Sequence, residues 1–159
     1  MGTTSLAYAW PPTGSFPTRD DNLFTQQVAF TKDVLVHTGD QIAALVWIQG
    51  EQDATATVQP SATDYGANLT TFVADERAAL GLSDDVPFIY GRLNAKYPRA
   101  VGRDLVRRGQ DANQTSTQII VDQDPYPLRS GNVHYTTEGV LDLGHAYGRA
   151  ILAATDAMR

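Results

Sequence analysis

Three short runs rich in apolar and β-branched residues recur along the chain, separated by longer stretches with helical spacing. The runs span residues 42–48, 86–93 and 118–122. Runs of this length are typical of buried β-strands, and strands separated by helices favour parallel pairing, because a parallel connection needs a crossover of about a dozen residues. The spacing therefore predicts an α/β fold, in which helices cover both faces of a parallel sheet.

Four helices are predicted between and around these runs. Two of them are bounded by start and stop signals; the other two are a mixed segment over about residues 99–115 and a last helix over about residues 137–158. The start and stop signals are the N-cap candidates Asp21 and Asn22, the capping box from Ser61 to Asp64, and the left-handed C-cap candidates Gly39 and Gly81.

Charge and composition exclude several classes of function. The 159 residues carry a net charge of -6 without a stripe of Lys and Arg, which argues against a nucleic-acid partner. The sequence has no run of about 18 apolar residues, so no membrane span is predicted, and the N-terminus does not resemble a signal peptide. Because the chain has no cysteine, disulfides and thiolate metal sites are excluded and no compartment is indicated. One domain over residues 1–159 is expected.

Polar residues follow each predicted strand at the point where it ends. Gln49, Gly50 and Glu51 come after the first run, Asn94 follows the second, and a loop with His134 follows the third. The carboxyl ends of parallel strands meet at one edge of a sheet, where ligands bind in such folds. A carboxylate and an imidazole at this edge are the acid and base of a nucleophilic triad. The alternative is that Glu51 caps the next segment and His134 is an ordinary surface histidine.

Three stretches resemble blocks of one enzyme family. GTTSLAYAW lies near the start, WIQGEQDA in the middle and NVHYTTEGVLDLG near the end. In this order they resemble the later blocks of the SGNH-hydrolase superfamily, and most closely its branch of sialic-acid-specific acetylesterases and acetylxylan esterases, carbohydrate esterase family 6. The resemblance implies a three-layer, flavodoxin-like α/β fold and a serine hydrolase that removes acetyl groups from an O-acetylated carbohydrate, without a cofactor.

The chain departs from that family at the nucleophile. Family members begin with a strand that ends in G-Q-S-N, or G-D-S in the wider superfamily, and neither motif occurs here. The N-terminal strand or strands are therefore expected to be missing, with Ala44, Val46 and Ile48 poorly covered and self-association through the unpaired edge expected. None of the six serines occupies the sharp strand-to-helix turn of a nucleophile, which leaves Ser5 as the alternative.

A second departure concerns the acid of the triad. Relatives with a D-x-x-H block orient the imidazole with an aspartate, but that position is Gly131 here. The resemblance then assigns the acid to Glu51, which holds the tautomer of His134 and stabilises the imidazolium. Asp122 and Asp124, at the end of the third predicted strand, are the alternatives.

Oxyanion and substrate contacts are expected at Gly2, Gln49 and Gly50. The resemblance implies the backbone N–H of Gly2 as a donor, and the side-chain amide of Gln49 is a second. Trp10, Trp47 and Tyr135 are candidates for a sugar-binding surface, with core packing the alternative for Trp47. No metal is predicted, because no metal-ligand spacing such as H-E-x-x-H occurs.

Three functional hypotheses follow from these residues. The first is the nucleophile-free portion of a carbohydrate O-acetylesterase acting on sialic acid or xylan-type sugars, with secretion of a longer form left open. The second is a short form that binds carbohydrate without hydrolysing it. The third is a lipase or thioesterase of the same superfamily.

Overall fold

The computed structural model describes residues 4–10, 22–55, 60–130 and 133–157. These residues form three strands and seven helices. In chain order the elements are α1 Leu6–Ala9, α2 Leu23–Thr38, β1 Leu45–Trp47, α3 Glu51–Thr55, α4 Pro60–Thr63, α5 Tyr65–Leu80, β2 Phe88–Arg92, α6 Ala100–Ala112, β3 Gln118–Asp122 and α7 Thr137–Asp156. Of the helices described here, none is long and apolar enough to cross a membrane.

The three strands form one parallel sheet in the order β1-β2-β3. Leu45 of β1 lies opposite Phe88 of β2. Successive side chains of β2 point to opposite faces: Phe88 and Tyr90 belong to the core shared with α2, α5 and α6, while Ile89 packs against Leu143 of α7. The predicted α/β fold, a parallel sheet between two helical layers, is confirmed.

Two strands are shorter than the sequence predicts. β1 has three residues of the predicted 42–48, and β2 has five of the predicted 86–93, whereas β3 has the predicted bounds. The ladder between β1 and β2 runs from Leu45 to Trp47. Beyond it, Gly50 has φ +143°, which takes the chain out of the strand conformation.

The outer edge of β1 is open in the described part of the chain, where β1 pairs with β2 alone. Val46 is 47% exposed and Ile48 is 53% exposed. Ala44 is covered better than the sequence predicts, because it packs against the core that the sheet shares with α7. An edge strand with exposed apolar side chains is a template for pairing with another strand.

Helix ends follow the predicted caps in two helices. The Asn22 side chain accepts a hydrogen bond from the Thr25 N–H at 3.2 Å and so caps α2. Gly39 and Gly81 end α2 and α5 in the left-handed conformation, with φ of 71° and 68°. Asp21, the other N-cap candidate, lies outside the described residues.

The predicted capping box at Ser61 and Asp64 is wrong. Ser61 lies inside α4, and its hydroxyl donates to the Asp53 carboxylate at 2.6 Å instead of capping α5. Asp64 precedes α5, but its side chain makes no capping hydrogen bond. The hydroxyl satisfies a buried charge, which is a stronger acceptor than a neutral group.

Glycines allow α6 to approach its neighbours closely. A Cβ on Gly109 of α6 would lie 2.7 Å from the backbone nitrogen of Gly66 of α5. A Cβ on Gly102 would lie 2.0 Å from the carbonyl oxygen of Ala54 in α3. Both distances are shorter than real Cβ contacts, so these helices pack backbone against backbone. The close packing holds α3 against α6, and α3 begins at Glu51.

The close contact between α5 and α6 predicts that a glycine-to-alanine substitution lowers stability at Gly109, which lies at this contact, but not at Gly144 of α7. Gly109→Ala is expected to lower the free energy of unfolding by about 1–3 kcal/mol, because the added methyl group overpacks a backbone contact. Gly144→Ala is the control, since a Cβ there meets nothing within 4 Å. It is expected to raise the free energy of unfolding by roughly 0.5–1 kcal/mol through helix propensity. Urea denaturation measures both, and a stabilising Gly109→Ala would contradict the crossing geometry.

A buried carboxyl lies between α2 and α5. Glu76 is 5% exposed and accepts a hydrogen bond from Gln27 Nε2 at 2.9 Å. Burial raises the pKa of Glu76, and the Gln27 hydrogen bond opposes the rise. Gln27 Oε1 has no hydrogen-bond partner among the described residues. The folded chain therefore binds a proton at Glu76 more tightly than the unfolded chain does.

This raised pKa fixes the sign of a pH effect on stability. The contribution of Glu76 is fully present below its ordinary pKa of 4.5 and is lost as the pH rises through the raised value. Glu76→Gln is expected to be more stable than the parent at pH 8 and to lose this advantage at pH 4, because glutamine is uncharged and offers an N–H to Gln27. Urea denaturation at both pH values tests this, with exposed Glu138→Gln as the control. A difference that does not change with pH would contradict it.

Candidate active site

Side-chain amides join the three strand ends at the carboxyl edge of the sheet. Asn94, just beyond β2, donates to the carbonyl oxygen of Gln123, just beyond β3, at 2.7 Å. Gln110 of α6 donates to the carbonyl oxygen of Gly91 in β2 at 2.9 Å and to that of Gln49, beyond β1, at 3.3 Å. Buried amides that satisfy backbone carbonyls in this way fix the strand ends relative to one another.

Gly50 turns the chain from β1 into α3. Its φ of +143° is a conformation that residues with a side chain rarely adopt. A Cβ at this position would also lie 3.0 Å from Val106 Cγ1 and 3.2 Å from Gln110 Nε2. The turn explains the glycine and places Glu51 at the start of α3. A role for Gly50 in oxyanion or substrate binding stays a prediction.

The carboxylate of Asp53 is a fully buried charge beside this turn. It accepts hydrogen bonds from Ser5 Oγ at 2.7 Å, Ser61 Oγ at 2.6 Å, the Leu6 N–H at 3.0 Å and the Gln49 side-chain amide. A carboxylate has about four lone-pair positions, so four donors satisfy it. Burying a charge without such partners is costly, and this set of donors keeps Asp53 inside the protein.

Gln49 is oriented by two acceptors. Its Nε2 donates to the Thr4 carbonyl oxygen at 2.9 Å and to the Asp53 carboxylate. The amide nitrogen has two hydrogens, and each has an acceptor within the protein. An oxyanion contact from this side chain would require it to leave one of them. The predicted donor role of Gln49 stays a prediction that must include such a movement.

The geometry argues against Ser5 as the nucleophile. Ser5 caps α1, where its Oγ accepts from the Ala7 N–H at 3.2 Å, and it donates its own proton to Asp53. The Ser61 oxygen lies 3.1 Å from that of Ser5, and its hydroxyl points at the same carboxylate. A nucleophilic serine instead donates its proton to an imidazole base.

The carboxyl of Glu51 lies in a largely desolvated position at the start of α3. Burial raises the pKa of Glu51, its own backbone N–H opposes the rise, the charge of Asp53 raises the pKa further, and the charge of His134 lowers it. The net effect is a raised pKa. The backbone oxygen of Glu51 accepts from the Tyr97 hydroxyl at 3.0 Å, which fixes the first turn of α3.

His134 lies in the loop between β3 and α7, and its side chain is exposed. Leu128 and Tyr135 form an isolated antiparallel bridge, and the Arg129 N–H donates to the His134 carbonyl oxygen at 2.9 Å. The charge of the imidazole acts on the Glu51 carboxyl. The two residues with predicted acid and base roles thus interact electrostatically, although those roles remain predictions.

Asp124 is engaged in an ion pair with Arg107. Arg107 Nη1 and Nη2 donate to its two carboxylate oxygens at 2.7 and 3.0 Å, and the Ala95 N–H donates at 2.6 Å. Burial alone would raise the pKa of Asp124, but the guanidinium and the Ala95 N–H lower it below its ordinary value. Asp122 accepts from the Asp124 N–H at 3.2 Å. These contacts favour Glu51 over Asp124 as the partner of the imidazole.

Two positions from the sequence analysis, Gly2 and Gly131, lie outside the described residues. Within the described ranges no group of three or more His, Asp or Glu side chains is placed to hold a metal ion. The sequence analysis missed the role of Asp53. Its place in the WIQGEQDA block was a signal of importance, but three of its four donors come from residues 5, 6 and 61, and no local pattern connects them to it.

Comparison with known proteins relates the chain to one family. A family model described as "Carbohydrate esterase, sialic acid-specific acetylesterase" matches residues 1–153. A probable carbohydrate esterase of Arabidopsis thaliana is 30% identical over 135 residues, which are 85% of this chain and 49% of that protein. The X-ray structure of that Arabidopsis protein matches with a TM-score of 0.77 at 28% identity, over 96% of this chain and 58% of the other. This chain thus spans about half the length of its relative.

The hydrogen bonds to Asp53 predict that removing one hydroxyl destabilises the fold. Ser61→Ala is expected to lower the free energy of unfolding by about 2 kcal/mol, because a buried carboxylate loses one of its donors. Ser83→Ala, the same change at an exposed serine, is expected to stay within about 0.5 kcal/mol of the parent. Both values come from urea denaturation at pH 7. Equal small effects at the two serines would show that the Asp53 hydrogen bonds are not as described.

Proposed function

Because this chain belongs to the family of carbohydrate esterases described as sialic acid-specific acetylesterases, we propose that it supplies the acid and the base of a site that hydrolyses acetyl esters of carbohydrates. The family resemblance predicted from the three sequence blocks is confirmed. Activity and substrate are our proposal, since the chain spans 49% of the relative's length.

The observation that carries the proposal is the placement of Glu51 and of the loop with His134 after strands β1 and β3 of one parallel sheet. The charge of His134 lowers the pKa of a Glu51 carboxyl that burial otherwise raises. Both groups follow strand ends at the carboxyl edge of a parallel sheet, where sites in α/β proteins lie. The engagement of Asp124 with Arg107 supports Glu51 over Asp124 as the acid.

His134 is the proposed general base. In ester hydrolysis the imidazole takes the proton of the serine hydroxyl as its oxygen attacks the acetyl carbonyl carbon, and then gives that proton to the leaving sugar oxygen. Water repeats the sequence on the acyl-enzyme and releases acetate. Glu51 keeps the imidazole in the required tautomer and stabilises the imidazolium.

The nucleophile is the part of the proposal that these 159 residues leave open. The described serines nearest the middle block, Ser5 and Ser61, donate their protons to Asp53. We propose that activity requires a serine in a G-Q-S-N segment, carried on a strand that pairs with the open edge of β1. Residues 1–159 are then one portion of a single esterase domain. Exposed Val46 and Ile48 support a partner at this edge.

Activity is predicted to depend on this segment and on the two proposed residues. Hydrolysis of p-nitrophenyl acetate and of an acetylated sugar by residues 1–159 alone is expected to be nearly undetectable. In size-exclusion chromatography the short chain is expected to self-associate. A longer chain with a preceding G-Q-S-N strand is expected to be monomeric and active. In the longer chain Glu51→Ala and His134→Ala are each expected to lower kcat by about 10³-fold or more.

Two matched variants control for general effects of charge and fold. His37 and Glu138 lie exposed on α2 and α7, so His37→Ala and Glu138→Ala are expected to retain activity. Substantial His134-dependent turnover by the short chain would contradict the proposed nucleophile, and Ser5→Ala would then be the next variant. Sugar binding without turnover by the longer chain would favour a non-catalytic module. Preference for a long acyl chain over acetate would favour a lipase or thioesterase.

A further inference from the structure

The loop that carries His134 folds back on itself at the end of β3. The Arg129 N–H donates to the His134 carbonyl oxygen at 2.9 Å, and the Thr136 N–H donates to the Pro127 carbonyl oxygen at 2.9 Å. These bonds join two arms, residues 127–129 and 134–136, which we call the His134 hairpin. They fix the arms relative to each other but not relative to the sheet.

A buried glutamine connects the His134 hairpin to the sheet. Gln123 follows β3 directly and is 2% exposed. Its Oε1 accepts from the Tyr135 hydroxyl at 2.8 Å, and its Nε2 donates to the Tyr147 hydroxyl oxygen of α7 at 3.1 Å. The Gln123 carbonyl oxygen accepts from Asn94 at 2.7 Å, which links it to the end of β2. One residue therefore joins the sheet edge through its carbonyl oxygen, and α7 and Tyr135 through its side chain.

The position of this amide is tightly constrained. A Cβ on Gly91 of β2 would lie 1.9 Å from Gln123 Nε2 and 2.3 Å from the Tyr147 hydroxyl oxygen. The amide and the phenol therefore lie directly against the backbone of β2. A buried amide with both ends bonded has little freedom to move, because leaving its place would break both hydrogen bonds inside the protein.

We propose that Gln123 and Tyr135 are positioning residues of the candidate site: the hydrogen bond between them holds the His134 hairpin against the sheet edge, so that the imidazole stays beside the Glu51 carboxyl. That this position serves catalysis rests on the proposed function. The arrangement itself is testable without catalysis. The sequence analysis considered Tyr135 for sugar binding, whereas its hydroxyl is bonded inside the protein.

The readout is the electrostatic effect of His134 on Glu51. The titratable groups that interact with the Glu51 carboxyl are Asp53 of α3, Tyr65 of α5, Tyr97 before α6, His134 and Tyr135 of the hairpin, and Tyr147 of α7. Of these, His134 is the group whose charge lowers the pKa of Glu51. Moving the imidazole away should therefore raise that pKa.

The test is the Tyr135→Phe variant, which removes one hydroxyl and keeps the ring. The pKa of Glu51 is followed by ¹³C NMR of the side-chain carboxyl in the 159-residue chain, whose three glutamates make assignment simple. The pKa of Glu51 is expected to rise in Tyr135→Phe, in the same direction as in His134→Ala. In the His134→Ala background, Tyr135→Phe is expected to cause no further rise, because the interaction is already absent.

Tyr90→Phe is the matched control, because the Tyr90 hydroxyl is also buried and donates to the Gln110 carbonyl oxygen at 2.8 Å. It is expected to lower Tm without changing the pKa of Glu51. Gln123→Met, of similar length but without the amide, repeats the test from the other side if Tyr135→Phe does not fold. An unchanged Glu51 pKa in a folded Tyr135→Phe or Gln123→Met variant would overturn the proposal. Absence of esterase activity from the longer chain, together with the expected change in the Glu51 pKa, would instead overturn the proposed function alone.

Discussion

A buried charge organises this chain: the carboxylate of Asp53 has no contact with solvent and depends on four donors from the protein. Those donors come from α1, from the end of β1 and from α4. Because an unsatisfied buried carboxylate costs several kcal/mol, none of these segments can leave without exposing or stranding the charge. The turn at Gly50 and the start of α3 are thereby held together with the N-terminal helix, and Glu51 is placed by a network that it does not join.

Two carboxyl groups on the same short helix thus have different environments. Asp53 is fully satisfied, which suits a structural role. For Glu51, two residues earlier, burial and the negative charge of Asp53 raise the pKa, and the charge of His134 lowers it. Environment rather than residue type separates the two, as in enzymes where neighbouring carboxylates have different tasks.

The sequence predicted the features that depend on local pattern. The parallel order of helices and strands, the Asn22, Gly39 and Gly81 caps and the bounds of β3 all follow from spacing and backbone preference. Ser61 was misassigned because a serine three residues before an acidic residue matches a cap, while its actual acceptor is eight residues away on another helix. The contacts of Gln123 likewise join residues 12 and 24 positions apart. Such partners are set by tertiary packing, which a single sequence does not display.

The place of the His134 hairpin in the chain ties the candidate site to the last helix. The hairpin runs into Thr136, which caps α7 by accepting from the Gly139 N–H at 3.0 Å. A few turns later the same helix supplies Tyr147, whose hydroxyl oxygen accepts from Gln123 Nε2. Local unfolding of α7 would therefore remove the Thr136 cap and the hydrogen bond between Gln123 and Tyr147 in one cooperative event. The site would open and close as a unit with α7, and amide hydrogen exchange in the hairpin would follow that of the helix.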